Sequence, residues 1–208
     1  SGPNQFNQPN DVITAPDGSI FVADGHSGQG MTTNQRMEEG REAGNTGRIL
    51  KFSADGTFIK EWGQIGRLHG EFRTPHALAF DSQGRLFVAD RGNHRIEIFD
   101  QEGNYLDSRY SFGRISGLFI TADDILYAID SESSMTSHAN WMNGVRIGPV
   151  DGDHITGFIP PFDADTRPYQ GAAGEGVAVD ADGNVYAAEG PNSLRWAGGA
   201  LTKYVKGM

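Results

Sequence analysis

The stretch "TPHALAFDSQGRLFVADRGNHRIEIFDQEGNYL", residues 74–106, decides the fold of this chain. Apolar and polar residues alternate in "HALAF", "RLFVAD" and "HRIEIF", and polar turn residues separate these runs. Period-two alternation broken by short polar turns is typical of β-strands that are joined as hairpins. The stretch therefore predicts four short antiparallel strands.

The same pattern recurs along the chain, with first strands that start near residues 11, 76, 116 and 176. The bare unit, from 76 to 116, is about 40 residues long, and the other units carry inserts. Repeats of roughly 40 to 50 residues with four strands each are typical of β-propellers. We therefore predict an all-β fold, a β-propeller of four-stranded antiparallel blades. It is expected to be a single domain over residues 1–208, with blades at about 11–72, 73–112, 113–160 and 173–208.

Acidic residue–glycine pairs mark the tight turns between strands. Because glycine takes positive φ without strain, such pairs predict two-residue hairpin loops. The pairs are Asp17-Gly18, Asp55-Gly56, Glu102-Gly103, Asp151-Gly152 and Asp182-Gly183. Within the first insert, the segment "EEGRE" at 38–42 is interpreted as a solvated loop.

Four repeats leave the closure of the propeller open. The chain forms a four-bladed ring, is part of a larger ring such as one of six blades, or completes its ring by pairing with another copy as a homo-oligomer. The last unit has three clear strands in its sequence, so the edge of that blade is either bare or paired with a further strand.

Composition excludes several classes of function. The formal net charge of −10 argues against binding nucleic acid or anionic membranes, since both need a basic surface. No apolar run approaches the roughly 18 residues of a membrane span. The chain has no cysteine, which excludes disulfides and thiolate metal sites. The kinds of ligand that composition leaves open are a small molecule, a peptide, a carbohydrate and a partner protein.

The repeat geometry predicts where a functional site lies. In a propeller the first strand of each blade lines the central channel, and its start shares the top face with the loop between strands two and three. The residues at these starts are Asn10, His76, Ser116 and Glu175. An imidazole and a carboxylate with an amide and a hydroxyl suit a divalent ion such as zinc. The alternative is that these polar residues only contact water in a wet channel.

Other residues of the top face are also candidates. His138 and Trp141 lie in an insert long enough to cover the channel, where an exposed Trp implies a ligand or a packing partner. The acids that end the second strands are interpreted as structural: Asp24, Asp90, Asp130 and Glu189. Arg48 and Arg95, which start third strands, are expected to bridge such acids, and His94 is expected to be structural.

The quoted stretch resembles an NHL repeat, with the Asn93-His94 pair in its usual place. The segments "FNQPNDVITAPDGSIFVADGHSG", "GRILKFSADGTFIKEWG" and "EFRTPHALAF" follow one another in the same order as in the peptidyl-α-hydroxyglycine α-amidating lyase family and its bacterial relatives. This resemblance covers most of residues 6–110. It implies a propeller, a lyase activity on a small hydroxylated or peptide-like substrate, and a secreted or periplasmic location.

The resemblance also implies roles for particular residues. Histidines at the strand starts of the family bind zinc, and an adjacent aspartate helps to bind calcium. Here His76 matches this set, whereas Glu175 and Gly176 stand where a His-Asp pair is expected. Arg91 in "VADRGNHR" matches an arginine of the family, and His26 stands in place of a tyrosine near the catalytic centre.

Two hypotheses about function follow. In the first, the protein is an enzyme in which an ion at His76 and Glu175 polarises a substrate hydroxyl, His26 takes the proton and Arg91 holds a carboxylate. In the second, it is a non-catalytic propeller that binds a protein, peptide or carbohydrate on its top face. No nucleophile elbow, phosphate-binding loop or dinucleotide fingerprint is present in the sequence.

Overall fold

The computed structural model describes residue 2 and residues 5–161, 174–188 and 201–207. Within them, the strands form four antiparallel sheets, in which each strand pairs with the next along the chain. Three sheets have four strands, and the last has three described strands. These sheets confirm the predicted all-β propeller of antiparallel blades.

The strand boundaries are as follows. Blade 1 contains β1 (Pro9–Thr14), β2 (Ile20–Asp24), β3 (Arg48–Phe52) and β4 (Phe58–Trp62). Blade 2 contains β5 (Pro75–Phe80), β6 (Leu86–Asp90), β7 (Arg95–Phe99) and β8 (Tyr105–Arg109). Blade 3 contains β9 (Ile115–Ile120), β10 (Ile125–Asp130), β11 (Gly144–Pro149) and β12 (Gly157–Ile159). Blade 4 contains β13 (Gly176–Val179), β14 (Val185–Ala188) and β15 (Leu201–Tyr204).

The chain divides into two compact units, residues 1–108 and 109–208, each with its own apolar core. In the first unit, Phe21, Ile49 and Phe72 are fully buried in one cluster with residues of blade 2. In the second unit, Ile129 and Val185 belong to a cluster that joins blades 3 and 4. Burying a side chain of this size contributes about 1.5–3 kcal/mol, so these clusters are the main source of stability in each unit.

Four of the predicted two-residue hairpin loops have three residues, and the fifth, at Asp151-Gly152, is part of the longer connection 150–156 between β11 and β12. At the first turn, the Gly18 N–H donates to the Ala15 carbonyl at 2.9 Å, and the Ala15 N–H donates to the Ser19 carbonyl at 2.8 Å. This is a type I turn followed by a glycine at positive φ, and the same bonds close the loops at 53–57, 81–85, 100–104 and 180–184. An Asp-Gly pair occurs in both kinds of loop, which is why it did not fix the loop length.

The insert between β2 and β3 contains a 3₁₀ turn, His26–Gly30, and one α-helix, α1 (Asn34–Glu42). Thr33 caps this helix, because its hydroxyl oxygen accepts a hydrogen bond from the Arg36 N–H at 3.2 Å. The interpretation of residues 38–42 as a loop is therefore wrong. In the described part of the chain, no helix is long and apolar enough to cross a membrane.

In blades 1 to 3, the acid at the end of the second strand is a buried structural group, as the sequence predicts. Asp90 is fully buried and accepts hydrogen bonds from the backbone N–H groups of Arg73 and Thr74 at 2.9 and 3.3 Å. It also accepts from Asn93 Nδ2 at 2.6 Å and from Arg95 Nε at 3.0 Å. Asp90 thus joins the loop before its blade to the start of the third strand.

The same acid–arginine pair recurs in two other blades. Arg48 contacts Asp24 at 3.0 Å, and Arg146 contacts Asp130 at 3.1 Å. Both acids have fully buried side chains. The predicted bridging role of Arg48 is therefore confirmed, and Glu189, the fourth acid of the set, lies outside the described residues.

Asp180 shows how a hairpin loop is tied together by its first residue. Its carboxylate accepts hydrogen bonds from Asn184 Nδ2 at 2.9 Å, from the Asn184 N–H at 2.8 Å and from the Tyr186 hydroxyl at 3.0 Å. These donors, with Asn184 the strongest, lower the pKa of Asp180 from 3.8 to about 2. A lowered pKa means that Asp180 contributes stability above pH 3.8, and that this stability is lost as the pH falls through about 2.

We expect Tyr186→Phe to raise the pKa of Asp180 toward 3.8, because the variant removes one donor to the ionised form. Carboxyl-carbon NMR titration of Asp180 measures this. The variant Asn184→Ala, which removes the strongest donor, should raise the pKa further. Titration midpoints that stay at about 2 in both variants would contradict this account.

Candidate functional site

The residues predicted at the strand starts lie at β-bulges in three blades. The pairing of β5 with β6 skips from Pro75 to Ala77, so His76 is the extra residue. The same shift makes Asn10 the extra residue in blade 1 and Ser116 the extra residue in blade 3. A bulge adds one residue to a strand and redirects its side chain. The repeat therefore builds one local geometry around three chemically different side chains.

Glu175 occupies the corresponding position in blade 4. Its N–H donates to the Ala188 carbonyl at 2.9 Å, and the next residue, Gly176, pairs with Ala188. The Glu175 side chain is exposed. Glu175 belongs to the second compact unit and His76 to the first.

In the first unit, three predicted site residues come together. His26 begins the 3₁₀ turn His26–Gly30, and Arg91 begins a second 3₁₀ turn, Arg91–Asn93. The ring centroids of His26 and His76 are 5.8 Å apart, with a tilt of 57°. Arg91 Nη2 lies 3.0 Å from His26 Nε2 and 2.6 Å from Gln29 Oε1. We call His26, Gln29, His76 and Arg91 the histidine–arginine site.

The contact with Arg91 fixes the tautomer of His26. A guanidinium has only N–H donors, so His26 Nε2 accepts this hydrogen bond and the ring proton lies on Nδ1. Arg91 is 1% exposed, whereas the two histidines reach solvent. The site thus combines a buried fixed cation with two solvent-accessible imidazoles. This arrangement suits the binding of an anion and the transfer of a proton.

Asn10 and its neighbour Asp11 join the first strands of blades 1 and 2. Asn10 Nδ2 donates to the Pro75 carbonyl at 2.8 Å, directly before His76. Asp11 Oδ2 accepts from the Leu78 N–H at 2.8 Å. Burial raises the pKa of Asp11, and its two backbone hydrogen bonds oppose this. Asn10 therefore holds the backbone beside His76, while its predicted contact with a ligand stays a prediction.

In the second unit, His138 and Trp141 form a packed group. His138 Nδ1 lies 3.1 Å from Ser133 Oγ, and the His138 ring stacks on Trp141 with centroids 4.4 Å apart. The Arg146 guanidinium lies 4.5 Å from the Trp141 ring. Desolvation lowers the pKa of His138. His138 and Arg146 are therefore the packing partners that an aromatic side chain in this insert was expected to have.

Ser116 lies deeper in the second unit. Its side chain is buried, and Ser116 Oγ is 2.5 Å from Ser131 Oγ. A buried hydroxyl paired with another hydroxyl is satisfied within the protein. Its predicted role in binding a ligand stays a prediction.

A zinc site needs three or four protein ligands that converge. In residues 5–161, 174–188 and 201–207, no three His, Asp or Glu side chains are grouped so as to hold a metal ion. The described residues do not by themselves fit the zinc or calcium site that the lyase resemblance implies.

Two residues of this region, Gln29 and Arg73, were not predicted from the sequence. Gln29 contacts Arg91, which is 62 residues away in the sequence, and Arg73 contacts the carbonyl of Gln29, which is 44 residues away. Neither residue is part of a motif with a fixed spacing. Gly28 and Gly92 are the positions at which the two turns approach Arg73 closely. These two glycines are the only sequence feature that could have indicated the contact with Arg73.

Comparisons with known proteins agree with this architecture. The NHL repeat family matches residues 72–99. Over 201 residues the chain is 31% identical to peptidyl-glycine alpha-amidating monooxygenase A of Xenopus laevis, a match that covers 92% of this chain and 19% of that protein. Over 100 residues it is 32% identical to NHL repeat-containing protein 3 of Homo sapiens, covering 48% of this chain and 24% of that protein.

A solved gluconolactonase from Xanthomonas campestris has a similar structure, with a TM-score of 0.58 and 20% identity. That match covers 96% of this chain and 57% of the gluconolactonase. It shows the fold alone.

The described residues form β-propeller blades, and the match to the NHL repeat lies in the second of them. More particularly, the chain is homologous to the peptidyl-glycine alpha-amidating monooxygenases, and it spans about a fifth of the length of those relatives. Both resemblances noted in the sequence are confirmed.

Proposed function

We propose that the histidine–arginine site is the active site of a lyase that cleaves small or peptide-like α-hydroxyglycine compounds. One observation carries this proposal: His26 and Arg91, 65 positions apart, are in hydrogen-bond contact beside His76. The 31% identity to an amidating monooxygenase supports the same class of substrate.

The reaction needs a base and an anchor for a carboxylate. The hydroxyl proton of the substrate leaves, a carbonyl forms, and the bond between the α-carbon and the amide nitrogen breaks. The nitrogen gains a proton, so the products are an amide and glyoxylate. Arg91 supplies a buried cation for the carboxylate, and an imidazole moves the proton.

The contact between Arg91 and His26 links binding to base chemistry in this proposal. His26 Nε2 has a lone pair that can accept a proton, and this lone pair accepts the hydrogen bond from Arg91 Nη2 at 3.0 Å. A substrate carboxylate competes with His26 and Gln29 for this nitrogen. Binding of the carboxylate then releases His26 Nε2, which becomes available to take the hydroxyl proton.

An N-acyl-α-hydroxyglycine is the simplest substrate with which to test the proposal. We expect formation of glyoxylate and amide well above the uncatalysed rate at neutral pH. The variant His26→Gln should lower kcat by about 10²- to 10⁴-fold, the usual contribution of a general base. A wild-type rate equal to the uncatalysed rate would overturn the proposal.

Binding of zinc or calcium by His76, the role that the family resemblance implies, is a separate proposal, and Glu175 is proposed as a metal ligand in its own unit. We then expect protein purified without added ions to contain bound metal. We also expect added zinc to increase the Tm, because a ligand that binds only the folded state stabilises that state. In His76→Gln, both the bound metal and the response of the Tm should be lost. His94→Gln is the control, because His94 caps the turn Arg91–Asn93 at a φ of 58°. Wild-type protein with less than about a tenth of an equivalent of metal, and no response to zinc, would exclude this proposal.

A second candidate function is a binding scaffold without catalysis. The match to NHL repeat-containing protein 3, 32% identical over 100 residues, favours it because that protein shares the repeat. In this case the histidine–arginine site binds a carboxylate-bearing peptide but does not cleave it. Saturable binding of an N-acylglycine, with no turnover of the corresponding α-hydroxyglycine, is the result that supports the scaffold.

A further inference from the structure

One buried arginine connects the two turns that carry the histidine–arginine site. Arg73 precedes β5 and is 8% exposed. Its Nη1 donates to the Gly92 carbonyl at 2.6 Å, and its Nη2 donates to the Gln29 carbonyl at 3.2 Å. A single guanidinium thus bonds to the turn His26–Gly30 and to the turn Arg91–Asn93.

The backbone of both turns also packs directly on Arg73. A Cβ added to Gly28 would lie 1.8 Å from the Arg73 carbonyl oxygen, and one added to Gly92 would lie 2.6 Å from Arg73 Cβ. Distances this short mean that only glycine allows each turn to approach so closely. The Arg73 N–H is itself held by Asp90, which also bonds to Arg95. Arg73 is therefore fixed at its backbone before its side chain reaches the two turns.

From this geometry we infer that Arg73 is a positioning residue, which sets the distance between His26 and Arg91. Each turn has few hydrogen bonds of its own: the longer one is closed by a Gly28 N–H bond to Gly25 at 3.4 Å and a Met31 N–H bond to Gly28 at 3.0 Å. Each turn is also anchored at its start, because the His26 N–H donates to the Gln8 carbonyl at 3.2 Å and the Arg91 N–H donates to the Thr74 carbonyl at 2.9 Å. The two bonds from Arg73 and the two contacts to Arg91 Nη2 are side-chain hydrogen bonds that link one turn to the other.

Displacement of a reacting group by about 1 Å is enough to lower a rate by 10²-fold. Arg73 does not contact the proposed substrate, so its effect acts through His26 and Arg91. The catalytic part of this inference rests on the proposed lyase function. The geometric part, that Arg73 maintains the contact between Arg91 and His26, is tested without any substrate.

The test is nitrogen NMR of the His26 ring in wild-type protein and in Arg73→Ala. In the wild type, one ring nitrogen carries the proton and the other accepts from Arg91, so their two shifts should be well separated. In Arg73→Ala we expect the shifts to move toward each other, because the ring loses its fixed partner and exchanges between tautomers. Arg73→Lys, which reaches one carbonyl but not two, should be intermediate and should restore part of the separation.

The matched control is Arg109→Ala. Arg109 is also buried, at 6% exposed, and its Nη2 donates to the Val150 carbonyl at 3.1 Å in the second unit. This variant loses a comparable hydrogen bond to a loop, but the two ring-nitrogen shifts of His26 should stay as far apart as in the wild type. With an N-acyl-α-hydroxyglycine, kcat/KM should fall by at least about tenfold in Arg73→Ala and by less than about twofold in Arg109→Ala.

The outcomes separate this inference from the proposed function. Wild-type ring shifts in Arg73→Ala, or equal changes in Arg109→Ala, overturn the positioning role. If the two ring-nitrogen shifts of His26 move together in Arg73→Ala, the positioning role is supported. If the wild type at the same time shows no turnover, the proposed lyase function is overturned while the positioning role stands. If Arg73→Ala does not fold, the same comparison between Arg73→Lys and wild type decides the question.

Discussion

Asp90→Ala is expected to lower the free energy of unfolding by roughly 3–5 kcal/mol, which is the cost of removing one partner of a buried ion pair. The side chain of Asp90 is fully buried, and that of Arg95 is 5% exposed. Burial raises the pKa of Asp90, and the Arg95 cation is the strongest group that opposes this rise. Without Asp90, the buried Arg95 charge loses one of its two carboxylate partners and keeps Glu97 at 3.3 Å, and two backbone N–H groups of the preceding loop lose their acceptor.

Chemical denaturation of single and double variants measures this effect. The double variant Asp90→Ala/Arg95→Ala should lose less stability than the sum of the two single variants, by at least about 1 kcal/mol, because the pair is in direct contact. Asp100→Ala is the control: Asp100 is only half-buried and accepts from Glu102 and Asn104 within its own hairpin loop. Equal losses in Asp90→Ala and Asp100→Ala would contradict the structural role of the buried pair.

The blades were predictable because their signal is local and repeated. Alternation over five or six residues specifies one buried face, and the pattern recurs in each unit. The acid–arginine pair of Asp90 and Arg95 was also predictable, since both positions are fixed relative to strand ends. Loop length was not predictable, because an Asp-Gly pair suits turns of two and of three residues.

Helix α1 was missed for a different reason. The segment 34–42 is polar on most of its surface and buries only Met37 and Gly40, so it has no strong apolar periodicity. Its capping residue, Thr33, was the one local signal available. A short helix of this kind is determined by its packing in the folded chain rather than by its own sequence.

Part of the candidate site followed from the repeat, and part did not. The repeat predicts that His76 begins a first strand, and the family resemblance singles out His26 and Arg91. Neither gives the 3.0 Å contact between His26 and Arg91, nor the role of Gln29, because these contacts join residues more than 60 positions apart. Contacts of that range depend on how adjacent blades pack, which no single-sequence pattern specifies.

Arg91→Lys is expected to lower kcat/KM for an N-acyl-α-hydroxyglycine by about 10²-fold or more. Truncating one partner of a buried, hydrogen-bonded charge pair costs roughly 2–5 kcal/mol, and every 1.4 kcal/mol is tenfold. Lysine keeps the charge but lacks the planar fork with which a guanidinium binds a carboxylate. Because the carboxylate is bound in both the ground state and the transition state, most of the loss should appear as a raised KM.

His26→Gln should show the opposite division, a lower kcat with a KM close to that of the wild type, because the base acts in the transition state. Arg41→Ala is the control, since Arg41 lies on the exposed side of α1 and its Nη1 donates to the Ile65 carbonyl at 2.6 Å. Its kinetic constants should equal those of the wild type. Steady-state measurements of glyoxylate release separate these cases. If Arg91→Lys left KM unchanged, Arg91 would not be the residue that holds the carboxylate, and the buried guanidinium would serve only to orient His26.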